Sequence, residues 1–220
     1  LILSLSGQMI WHQHLPPPQP QINTLTPPPS VQQLRLLSLG EPVALAKILM
    51  LWLQTFDNQD GLFIPYQELN YNALTKWLER ILHFDPKSQY PLLTASHIYS
   101  MVADVKKQRQ MLAFVYKAFL EDPQHRWPWL AQATILAKHR LKDLPLALKY
   151  AQALSHHADA TMPDWIQEMQ IFILEDMGEL EQARLVIGGL LMTNQITDPK
   201  EVRFLNDKLR ALEETLSSAQ

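Results

Sequence analysis

The sequence predicts an all-α protein, an α-solenoid of antiparallel helical hairpins closed by a C-terminal capping helix. Three observations lead there. Apolar residues recur at three- and four-residue steps along most of the chain beyond residue 70, no stretch sustains a two-residue alternation against them, and helix-breaking prolines return at near-constant spacing. The 220 residues, 47% hydrophobic and 19% charged, suffice for a substantial core.

The elements follow in order. Residues 1–11 (LILSLSGQMIW) are uncharged and largely apolar. They are too few to cross a bilayer, which takes about 20. Residues 1–14 are therefore expected to be the distal part of a signal sequence or membrane anchor, the alternative being an ordinary terminus or a first helix packed on the body. Residues 15–30 form a Pro-rich linker, LPPPQPQINTLTPPP, with two triple prolines and no charge. An extended polyproline spacer of this length holds the body roughly 40 Å from what precedes it. The first basic residue is Arg35, and a flank poor in Lys and Arg favours the non-cytoplasmic side of a membrane.

Residues 31–220 are read as the folded domain. A short helix over 31–39 is stopped at Gly40, and Glu41-Pro42 places proline where the next helix begins. That helix, 43–56 (VALAKILMLWLQTF), is interrupted only by Lys47 and Gln54. Being apolar on nearly every side, it is expected to be core, buried between neighbours. DNQDG and Ile64-Pro65 mark 57–72 as a loop. Helices are then expected over about 72–84, 90–102, 104–120, 127–141, 143–157, 163–177, 179–193 and 199–217.

The repeat shows in the prolines. Phe84-Asp85-Pro86, Glu121-Asp122-Pro123 and Thr197-Asp198-Pro199 close successive units and Met162-Pro163 marks the remaining boundary, giving spacings of 37, 40 and 36 residues. Leu141-Lys142-Asp143-Leu144-Pro145-Leu146-Ala147 aligns over Met177-Gly178-Glu179-Leu180-Glu181-Gln182-Ala183, and Val102-Ala103-Asp104-Val105 fits the same frame. Two helices joined by a tight turn approach closely where a small side chain sits at the crossing, a place Ala147 and Ala183 fill.

MGELEQARLVIGGLL and LKDLPLALKYAQAL resemble the second-helix half of tetratricopeptide (TPR) repeats, and the Asp-Pro endings resemble that family's closing proline. The match covers about 70–193. It departs from the pattern at Gln108, which replaces an alanine, and at Pro145; Gly178 is the one turn glycine. Segments such as RWPWLA, AKHRLKDLPLAL and IFILEDMGELE also resemble a group of bacterial TPR-like proteins, a likeness that implies no activity. The family likeness implies an inner groove. In its frame Tyr90, Trp129 and Trp165 fall at equivalent places near the start of each first helix. His97, then Gln132, His139 and Arg140, then Glu168, Phe172 and Glu175 lie along the groove-lining faces. The competing reading is that Tyr90, Trp129 and Trp165 pack hairpin against hairpin, since large aromatics are usually buried.

Several classes of function find no support. A net charge of −3 leaves no basic face, so nucleic acid is not an expected partner. With no cysteine, thiolate zinc sites and a cysteine nucleophile are excluded. Eight histidines show no ligand spacing, and adjacent His156 and His157 point about 100° apart on a helix, so no metal site is expected. No nucleophile–base pair, carboxylate pair or phosphate-cradling loop occurs, hence no catalytic residue and no cofactor. Gly188-Gly189 is read as permitting close helix approach. Val202, Leu205, Leu209, Leu212 and Leu216 give the last helix one apolar face, suited to a cap or, alternatively, a dimer seam.

The expected function is a non-catalytic protein–protein interaction scaffold or adaptor, binding a peptide or protein partner and tethered through its leader. The expected location is bacterial and membrane-anchored with the domain on the periplasmic side, the alternative being cytoplasmic. Two rival functions stand beside it. One is a small-ligand receptor or enzyme with His97, His139, Arg140 and Glu175 converging between hairpins. The other is a structural subunit of a membrane complex, which predicts a broad apolar outer patch.

Overall fold

Side-chain caps or prolines in the first turn set most of the helix starts in the computed structural model, which describes residues 25–56, 58–59, 62–63, 68–159, 161–193, 196 and 198–218. Ser30 and Gln33 form a reciprocal capping box ahead of α1 (Val31–Leu37). Proline in the first turn, where no N–H is needed, opens α2 (Pro42–Gln54). Asn70 accepts from the N–H groups of Asn72 and Ala73 at the start of α3 (Tyr71–Phe84). The short α4 (Tyr90–His97) again has proline in its first turn and runs into a 3-10 turn, Tyr99–Met101. Asp104 accepts from Lys106 and Lys107 to start α5 (Val105–Glu121).

The Asp-Pro motif at 122–123 ends α5 and opens α6 (Pro123–His139), and that at 198–199 opens α10 (Pro199–Ser218). Between them lie α7 (Leu144–His156), capped by Asp143, then α8 (Trp165–Asp176) and α9 (Leu180–Met192). Helix α6 starts four residues earlier than its apolar pattern suggests and carries Pro128 inside it. That proline removes one N–H from the ladder, yet buried Arg126 fixes the turn around it. Inside the 57–72 loop, β1 (Asn58–Gln59) and β2 (Leu62–Phe63) pair antiparallel in a two-residue ladder.

The described fold is all-helical apart from that ladder. Every consecutive pair from α2 to α10 is in contact, and α3 also meets α5 and α4 meets α6. One apolar core runs from Leu25 to Ile173. A smaller one joins Ile171, Leu174, Ala183, Ile187 and Leu190 to Leu205 and Leu212 of α10, with Leu148 packed against both. Ala147 and Ala183 are wholly buried. Gln108, the departure from the small-residue pattern, is buried too, and its amide donates to the carbonyl of Val102, which satisfies the end of the 3-10 turn.

Three sequence expectations need correction. Residues 43–56 are not buried all round: Ala46, Met50 and Leu53 face the core, whereas Ile48 and Leu51 are 61% and 65% exposed. Helix α2 is covered by α3 along one stripe, and apolarity on its other faces has no described element to meet. Gly188 and Gly189 do not serve close approach, because a Cβ at either would meet nothing within 4 Å. Part of the 15–30 segment is packed rather than a free spacer. Leu25 is buried, and the Trp77 Nε1–H donates to the Thr26 carbonyl at 2.8 Å. The expectations for 1–14 and for 15–24, with His12 and His14, lie outside the described residues. Among the described residues no single helix is long and apolar enough to cross a membrane; α1 and α2 reach that length and composition only together, across a 105° bend.

Candidate functional site

The residues expected on a groove face divide into two groups. The first is carried by α4 and α6. Tyr90 is 43% exposed, its hydroxyl taking a hydrogen bond from Gln54 Nε2 at 2.5 Å. Trp129 is half-buried and donates its Nε1–H to Gln89 Oε1 at 2.6 Å, while the His97 ring meets it edge-on with centroids 6.0 Å apart. His97 Nδ1 is 2.9 Å from the Ser96 hydroxyl. Gln132 is half-buried and His139 exposed on α6. Arg140, also exposed, donates to the Met101 carbonyl at 2.7 Å and lies 3.7 Å from the Met101 sulfur.

The second group lies under α10. Glu168, Phe172 and Glu175 form one stripe of α8, and Glu201, Phe204 and Lys208 one stripe of α10. Lys208 Nζ is 2.8 Å from Glu175 and 4.7 Å from the Phe172 ring centre, and the Phe172 and Phe204 rings are 6.2 Å apart. Glu168 is only 3% exposed, with Oε1 unpartnered among the described residues. Burial first, and then the neighbouring charges of Glu201 and Asp164, push its carboxyl up to about 7 against the pull of Lys208.

An aromatic pair therefore stands at each step along α4, α6, α8 and α10: His97–Trp129 from α4 to α6, Trp127–Trp165 from α6 to α8, and Phe172–Phe204 from α8 to α10. Trp165 is 43% exposed and touches Trp127 edge-on at 6.0 Å. Trp129 and Trp165 thus pack across the steps and present part of their surface, whereas Tyr90 meets Gln54 of α2 and stands outside these ring pairs. Sequence spacing missed Trp127, Phe204 and Lys208. The signal available for the last two was the match of the 168–172–175 stripe to the 201–204–208 stripe, acid, ring and charge in the same order.

His97, Arg140 and Glu175 are held by separate partners and His139 is exposed, so the structure does not bring these four together. Among the described residues no group of three or more His, Asp or Glu side chains could hold a metal ion. The His156 and His157 rings stand 86° apart, and His157 Nδ1 is spent on the Ala153 carbonyl at 2.9 Å.

Comparison with protein-family models, with curated proteins and with solved structures gives no match.

Proposed function

We propose that the chain is a TPR-like α-solenoid capped by α10 and acts as a non-catalytic scaffold, binding a peptide or protein partner along the α4–α6 side of its groove. The observation that carries this reading is the ladder of aromatic pairs with partly exposed rings, one at each step along α4, α6, α8 and α10. Partly exposed Tyr and Trp are the side chains that supply most binding energy in protein interfaces. Helix α10 covers the far end of the same face, so the partner meets Tyr90, His97, Trp129, Gln132 and His139 first, and Trp165 at the margin of α10.

The exposed apolar face of α1 and α2, with Leu36, Leu37 and Leu39 at the turn, supports a tether that keeps the domain close to a bacterial membrane on its periplasmic side. The test is crosslinked capture of the chain from native membranes beside a Trp129→Ala, His139→Ala, Trp165→Ala variant checked for folding by circular dichroism. The reading requires a defined protein partner that is lost from the folded variant. Equal capture by both chains rejects this face as the binding surface.

A further inference from the structure

A cleft of about 560 Å³ opens between α3 and α5, with the first turns of α6 at its foot. That volume is in the range of pockets that enclose a small organic molecule. Lys76, Arg80 and His83 line it from one stripe of α3, Lys117 and Glu121 from α5, and Arg126 from α6. The acids of the cleft are already engaged. Glu79 is 2.9 Å from Lys117, Glu121 is 3.3 Å from Arg126, and Asp122 is 2.9 Å from His125.

The cations are not all answered. Lys76 and Arg80 have no ion pair or hydrogen bond among the described residues, and Arg80 Nε is buried without an acceptor. Arg126 is 3% exposed and spends its terminal nitrogens on the Ala118 and Pro86 carbonyls and on Glu121, yet its Nε–H is buried and likewise has no acceptor. Both Nε atoms are closed to solvent, so what the cleft offers an incoming ligand is the Lys76 ammonium and the terminal nitrogens of Arg80, donors that no acid or carbonyl among the described residues answers. An anionic oxygen is the acceptor that meets guanidinium donors best. Leu82 and Phe114 supply apolar wall beside them.

We infer that the cleft between α3 and α5 binds a small organic anion whose phosphate or carboxylate group accepts hydrogen bonds from the terminal nitrogens of Arg80 and is neutralised by Lys76 beside the fixed charge of Arg126, its body lying against Phe114. This site is separate from the proposed partner-binding face and does not depend on it.

The test is isothermal titration of the full chain at fixed ionic strength with three probes: pyrophosphate, citrate and an acidic peptide carrying no phosphate. Arg80→Gln and Lys76→Ala are titrated in parallel, with Arg184→Gln, which lies outside the cleft, as the charge control. Saturable binding of pyrophosphate or citrate, weakened at least tenfold by Arg80→Gln and unchanged by Arg184→Gln, is the expected result. Preference for pyrophosphate assigns a phosphorylated ligand and preference for citrate a polycarboxylate. Thermal unfolding of each variant shows whether it is folded; Arg80→Gln breaks no internal bond and is expected to melt with the parent chain. Absence of saturable binding by either small anion, equal loss in Arg184→Gln, or binding by the peptide alone overturns the inference.

Discussion

Lys142 holds the same left-handed backbone conformation as Gly178, the two residues standing at matching places in successive hairpin turns with φ of 53° and 77°. Each lies just before the residue that starts the following helix, Asp143 before α7 and Glu179 before α9. Glycine adopts this conformation freely, whereas a side chain costs roughly 1–2 kcal/mol there. Lys142→Gly is therefore expected to raise stability by about 0.5–1 kcal/mol, less than the strain because glycine also loosens the unfolded chain. Gly178→Ala is expected to lower it by about 1 kcal/mol, although a Cβ there meets nothing within 4 Å. Urea unfolding of both variants checks the pair; equal and negligible shifts would show that these turns carry no strain.

That correspondence was legible in the sequence, because turn and helix signals are local. The Lys142–Gly178 alignment, the helix-opening prolines and the small residues Ala147 and Ala183 all rest on neighbours within one turn. What the chain did not disclose depends on distant contacts. Nothing local marks Arg126 for burial; it is buried because carbonyls 8 and 40 residues away converge on it. Helix α2 reads as core from composition alone, since composition does not say how many neighbours a helix has. The residues expected to line a groove lie on α4, α6 and α8 by local spacing, whereas the cover over Glu168, Phe172 and Glu175 depends on where α10 lies.

Gly188 and Gly189 offer a second check. Both sit inside α9, where a Cβ would meet open space. Glycine in a helix interior costs about 0.5–1 kcal/mol relative to alanine when nothing needs its small size. Gly189→Ala is expected to stabilise the chain by that amount, or about 1–4 °C in a domain of this size. A drop in melting temperature would mean that the α9 surface has a neighbour in the working molecule, and would point to this face as an interface.

The buried guanidinium of Arg126 ties the start of α6 to the ends of α3 and α5, donating to the Pro86 carbonyl at 2.9 Å and the Ala118 carbonyl at 2.7 Å. Its methionine replacement keeps the bulk and strands both carbonyls. Arg126→Met is expected to cost about 2–4 kcal/mol, since hydrogen bonds from a charged donor are worth about 1.5–3 kcal/mol each and part of the loss is recovered by apolar packing. Arg126→Lys keeps the charge without the fork and should recover less than half of it. Equilibrium denaturation of the three chains measures this, and a Met variant as stable as the parent would remove Arg126 from the structural role given to it.

The cover that α10 places on α8 is expected to depend on pH through Glu168, which is buried beneath it. Burial, Glu201 and Asp164 raise its carboxyl from 4.5 to about 7. A carboxyl raised on folding binds more protons in the folded state, so its neutral form favours the fold below about pH 4.5, and that contribution is lost as the pH climbs through 7. Lys208, shared with Glu175, offsets part of the cost of ionising it. The value of about 7 already contains that offset, and the loss between pH 5 and pH 8 is expected to be about 2–3 kcal/mol. Glu168→Gln holds the neutral shape at every pH, so it should gain stability over the parent at pH 8 and converge with it near pH 5. Hydrogen exchange read across α10 separates a local effect from a global one. Faster exchange of α10 amides at pH 8 in the parent alone, after correction for intrinsic rates, would show the helix loosening from Phe172 and Glu175, whereas equal protection in both chains at both pH values would show that Glu168 has no hold on the cover.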